Sequence, residues 1–84
     1  MPLKAESLHV NIVDDDDAVR QGLSRLMRSA GIDSHAYGTP ESFLAEAHNE
    51  EHACILMDIT MPRMNGLELS ARLREKGITL PVIA

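Results

Sequence analysis

The chain has little from which to build a large core or a covalent staple. Its 84 residues include one Tyr, one Phe and no Trp, so the interior must be assembled from aliphatic side chains. A chain this short buries only about 60 to 65% of the surface its unfolded form exposes, which leaves no room for a second domain. A single cysteine, Cys54, excludes a disulfide framework within the chain and points to a reducing compartment. Lys4 and Glu6 interrupt any apolar run at the start, so no signal peptide is read there. No segment approaches the roughly 20 apolar residues of a membrane span. A cytoplasmic location away from the membrane is expected.

A basic patch is also missing. Thirteen acids face eight Lys and Arg residues, for a net charge of −5, and four of those acids stand together as Asp14, Asp15, Asp16 and Asp17. Setting these aside leaves nine acids against eight bases. The acidity is therefore local, and this chain is not expected to bind nucleic acid directly. What remains, 44% hydrophobic and 25% charged, is the composition of a globular domain.

The pattern along the chain is an alternation. Residues 1–7 have no period and read as a lead-in; Leu8, Val10, Ile12 and Val13 predict a strand that stops at the four aspartates. Val19, Gly22, Leu23, Leu26, Met27 and Ala30 recur at helical spacing as the inner face of a first helix, with Arg20, Arg25 and Arg28 on its other side and Gly31 as its stop. Ile32 to Tyr37 predicts a second strand. Thr39 as N-cap and Pro40 at the first helical position open a second helix with Phe43, Leu44 and Ala47 inward. The continuous apolar run Ala53 to Met57 has the character of a strand buried on both faces, and it ends on Asp58. Asn65 caps a third helix that runs to about Lys76 before Gly77, with Met64 packed on Leu69 as a staple; Pro81 introduces a fourth strand at Val82 to Ala84. The order β α β α β α β predicts right-handed crossovers and a parallel sheet with helices on both faces.

In such sheets the working site lies at the carboxyl ends of the strands. Asp14 and Asp15 close the first strand and Asp58 the third, so neighbouring strands would bring three carboxylates into one cleft. Only oxygen ligands are available there, which suits a hard cation such as Mg²⁺. An accessible Asp beside it can act as a nucleophile on phosphorus. The plainer readings are a solvated acidic loop and an acid that merely marks the exit from a core.

The strings IVDDDDAVR and CILMDITMPRMNGLEL resemble the receiver domain of bacterial two-component response regulators, in the subgroup usually fused to a LuxR-type DNA-binding domain. The resemblance spans Leu8 to Ala84. It implies a flavodoxin-like parallel sheet of strand order 2-1-3-4, incomplete after the fourth strand and lacking the last helix-strand-helix portion. It further implies that Asp58 accepts a phosphoryl group from a histidine kinase and that Asp15 ligates Mg²⁺ directly. Asp14 would act through water and Thr60 through its backbone carbonyl, while Pro62 and Gly66 would shape the following loop. Asp16 and Asp17 lie beyond the acid pair that the family requires and are assigned to capping the first helix. The family's further Ser or Thr, switch aromatic and Lys have no counterpart in this chain, and neither Lys4 nor Lys76 matches that Lys. DNA contact would belong to a separate output domain.

Two other readings compete. An open fourth-strand edge could pair with a second copy, giving a homodimer without phosphorylation. More distantly, His48, Glu51 and His52 satisfy H-x-x-E-H, a zinc metallohydrolase signature, although an exposed helix end and loop explains them as well. Cys54 reads as core rather than as a reactive thiol. Val19 fits either the core or a kinase-docking surface. His9 and Asn11 alternate with apolar residues in the first strand, a poor fit to a buried central strand.

Overall fold

A computed structural model describes residues 8–58 and 64–83. Its elements run β1 (His9–Val13), α1 (Asp17–Ser29), β2 (Asp33–Tyr37), α2 (Pro40–Glu46), β3 (Ala53–Met57), α3 (Gly66–Glu75) and β4 (Val82–Ile83). The strands form one sheet of order β2-β1-β3-β4, parallel throughout. In register, Val13 lies between Tyr37 and Met57, so β1, β2 and β3 finish level with one another. Among the described residues no helix is long and apolar enough to cross a membrane.

The helix boundaries follow from local chemistry. Thr39 in extended conformation accepts a hydrogen bond from the Ser42 amide at 3.1 Å, with Pro40 in the first turn. Asn65 caps α3 by accepting from the Glu68 amide at 2.9 Å. Gly31 and Gly77, at φ of 74° and 76°, turn the chain through the left-handed region that ends α1 and α3, where a side chain would be strained.

The main core cluster lies on one face of the sheet. Val13, Ile55 and Met57 from the strands pack with Phe43 of α2, Leu69 and Leu73 of α3, and Met64 and Ile78 that flank α3. The chain's two aromatic residues meet here, Tyr37 edge-on to Phe43 with centroids 5.3 Å apart. Met64 and Leu69 are both buried, as the staple requires. Val10 and Ile12 point to the opposite face by the alternation of the strand, and both are buried.

Two expectations need correction. The spacing of α1 predicts a buried inner face, yet none of its residues is buried; Val19 is 45% and Leu26 58% exposed. Val19 is therefore surface rather than core. The periodicity is real, but an apolar stripe is buried only where something packs on it, and α1 contacts only β1 and β2 substantially. Along β3, likewise, Ala53, Ile55 and Met57 are buried while Cys54 and Leu56 are half-buried. The α2 and α3 side of that strand is sealed and the α1 side is not.

Candidate functional site

The level ends of β1 and β3 set the site. Asp14 and Asp58 each follow the last residue of a strand, and the Asp58 amide donates to the Val13 carbonyl at 3.2 Å, extending the ladder one residue past the strands. On the other side of β1 the Asp14 amide donates to the Tyr37 carbonyl at 3.1 Å. Asp14 is thus held between both neighbouring strands and is only 5% exposed. Its carboxylate accepts from the Asp16 amide at 2.9 Å. Asp15 is exposed and Asp58 half-buried.

One carboxylate oxygen from each of Asp14, Asp15 and Asp58 lies within 4.8 Å of the others, the one grouping of this kind among the described residues. The three donors are all hard oxygens, and they combine a buried anchor with exposed positions. That donor set fits a divalent cation such as Mg²⁺ that retains waters. Without one, three negative charges this close repel one another.

The remaining acids separate as expected. Asp16 is the N-cap of α1, its carboxylate accepting from the Val19 amide at 3.0 Å. Asp17 lies in the first turn, where a negative charge favours the helix dipole, and pairs with Arg20. Gly66 opens α3 directly after the Asn65 cap. Among the described residues a Cβ there would meet Val82 at 3.9 Å, an ordinary van der Waals contact. Thr60 and Pro62 fall outside the described residues.

Arg20 is a site residue that sequence reasoning missed. Periodicity placed it on the solvent side of α1, but its Nη1 donates to the Asp14 carbonyl at 2.8 Å while Nη2 pairs with Asp17. Gly38 makes room for it, since a Cβ there would come within 3.3 Å of Nη1. Arg20 thereby ties α1 to the backbone of the acid loop. The spacing Asp17 to Arg20 was the available signal, because residues three apart share a helix face.

The zinc reading does not survive. Helix α2 ends at Glu46, so residues 48–52 offer no helical face for His48 and His52. Among the described residues neither histidine shares a three-ligand grouping with Glu51; His48 instead lies near the Glu46 carbonyl and the Glu50 carboxylate. Lys76 donates to the Leu44 carbonyl. Burial pushes the Cys54 thiol up, in keeping with a packed rather than a reactive cysteine.

Comparison with known proteins agrees with this geometry. Residues 10–84 match the response regulator receiver domain family. The chain is 35% identical over 74 residues to the response regulator protein TodT of Pseudomonas putida, a match covering 88% of this chain and 33% of TodT. It is 38% identical over 78 residues to the transcriptional regulatory protein FixJ of Azorhizobium caulinodans, covering 93% of this chain and 37% of FixJ. The chain thus spans about a third of the length of these curated relatives. A crystal structure of FixJ-N superposes with a TM-score of 0.76 at 29% identity, over 89% of this chain and 60% of that one. With the strand order, the acid cluster and the sequence match in agreement, the chain belongs to the response regulator receiver domain family.

Proposed function

We propose that this chain is a phosphoacceptor module in which Asp58 receives a phosphoryl group from a histidine kinase. The reading rests on one observation: the carboxylates of Asp14, Asp15 and Asp58 converge within 4.8 Å at the carboxyl ends of β1 and β3. A carboxylate oxygen of Asp58 attacks phosphorus, the P–N bond to the donor imidazole breaks, and that imidazole takes up a proton. Asp15 would hold Mg²⁺ directly, Asp14 through water and Thr60 through its carbonyl. The bound ion would supply charge neutralisation for the incoming phosphoryl oxygens. Asp14 is anchored by its strand neighbours and the Asp16 amide, and Arg20 braces the loop. Control of transcription would then pass through a LuxR-type output module, which would make the DNA contacts.

The test is intact-mass analysis under denaturing conditions after incubation with acetyl phosphate and Mg²⁺. A transient adduct of one phosphoryl group is expected, lost on chelation of the metal and absent in Asp58→Asn. No adduct, or one that survives Asp58→Asn, refutes the assignment.

A second reading is favoured by one observation. In the described sheet β4 has a neighbour on one side only and Ile83 is 50% exposed, so its edge is a template for pairing with another copy. Sedimentation over a wide concentration range would show a dimer; a monomer throughout would exclude edge pairing.

A further inference from the structure

The acid site occupies one end of the sheet, and the other end holds a second concentration of ligand-type side chains that phosphoacceptor chemistry does not use. Register pairs His9 with Asp33 and Asn11 with His35, so His9 and His35 are diagonal neighbours on one face of two hydrogen-bonded strands. His35 Nδ1 lies 3.0 Å from His9 Nε2. Both rings line a cleft of about 170 Å³ together with Tyr37, Glu46, His48 and Glu50. The same face is apolar further along, where Val13 and Phe43 pack.

A hydrogen bond between two imidazoles needs one N–H and one lone pair; a tautomer change leaves two lone pairs facing each other, and rotation of both rings turns them toward one point beside the N···N line. Nitrogens 3.0 Å apart, each about 2.0 to 2.1 Å from a metal, subtend roughly 95° at it. That is close to the angle of tetragonal coordination, and a small opening of the pair reaches the tetrahedral one. We propose that His9 and His35, as a two-imidazole pair, form a binding site for a divalent transition-metal ion of the nickel, copper and zinc group, with water completing its coordination. Imidazole nitrogen discriminates against Mg²⁺, so the two ends of the sheet take different cations. At about 3.3 Å per residue, β1 separates them by on the order of 16 Å. The ion ties β1 to β2 and stabilises the folded chain.

The experiment is a calorimetric titration of Ni²⁺ into the full chain with Mg²⁺ present in excess, paired with NMR to locate the paramagnetic broadening. One equivalent is expected, with broadening centred on His9 and His35. Affinity should fall about tenfold or more in His9→Asn and in His35→Asn and stay unchanged in His52→Asn and Asp58→Asn. Absence of binding, broadening centred on Asp15 and Asp58, or undiminished affinity in both the His9 and His35 variants overturns the site. Because broadening is read on the unaltered chain, a variant that fails to fold does not rescue the proposal.

Discussion

Replacing Asp15 with Asn should stabilise the metal-free chain, although it removes a residue from the proposed centre. Asp15 is exposed, and its carboxylate stands within 4.8 Å of those of Asp14 and Asp58. At that separation two unit charges repel by about 0.9 kcal/mol in a water-like dielectric and about 3.5 kcal/mol at an effective dielectric of 20. Solvent around Asp15 places the interaction near the lower limit. Two neighbours together give about 1 to 2 kcal/mol of relief. For a chain of this size that corresponds to a Tm rise of about 5 to 10 °C. The assay is thermal denaturation at low ionic strength with a chelator present. The difference should shrink at about 1 M salt, where the Debye length is about 3 Å, and vanish in acid, where carboxylates are neutral. Adding Mg²⁺ should stabilise the parent chain more than the variant, because the parent offers the full donor set. A variant less stable than its parent in chelator, or an equal response to Mg²⁺, would refute the reasoning.

Three further outcomes are expected. Phe43 is 2% exposed, and Phe43→Ala should cost about 3 to 5 kcal/mol, enough to abolish the cooperative urea transition of a small domain; an unchanged midpoint would contradict the core described. Asp16→Ala removes the acceptor of the Val19 amide and should cost about 1 kcal/mol, seen as faster hydrogen exchange confined to the first turn of α1. Burial, and secondly the charges of Glu46 and Glu50, raise the Tyr37 phenol above its ordinary value. The folded chain then holds that proton after the unfolded chain has lost it, so this contribution to stability is intact below about pH 10 and lost as pH rises through the folded value. Tyr37→Phe should flatten that alkaline decline in denaturation midpoints, and an identical slope in both chains would disprove the linkage.

Features that depend on near neighbours were legible in the sequence. Thr39, Asn65, Gly31 and Gly77 act through bonds within a few residues of themselves, so their positions announce the helix ends. The acids closing β1 and β3 were legible because strand ends in a parallel alternation lie at one edge of the sheet. Contacts set by register or by packing were not. The closeness of His9 and His35 depends on which residues β1 and β2 place side by side, and a string of letters does not display that offset. Arg20 looked like a solvated arginine because its acceptor is a backbone carbonyl, and a carbonyl has no sequence signature. The exposure of Leu26 was not legible, and that of Val19 stayed one of two alternatives, for a related reason: amphipathic spacing describes a helix's capacity to pack, and its neighbours decide how much of that capacity is used.

That exposure has a consequence for motion. Local opening requires breaking whatever holds a segment to the rest of the molecule, and α1, though it is the longest helix at 13 residues, buries none of its side chains. Its opening is an excursion that frees half-buried Leu23 and Met27 and uncovers Val10 and Ile12 on the face of β1 beneath it. Asp16 and Arg20 belong to α1 and its cap while both engage Asp14, so the excursion slackens the acid loop each time it occurs. Anything that seats the outer side of α1 would raise the energy of that excursion and tighten the carboxylate cluster without touching it, giving a surface remote from the aspartates control over how long they hold their geometry.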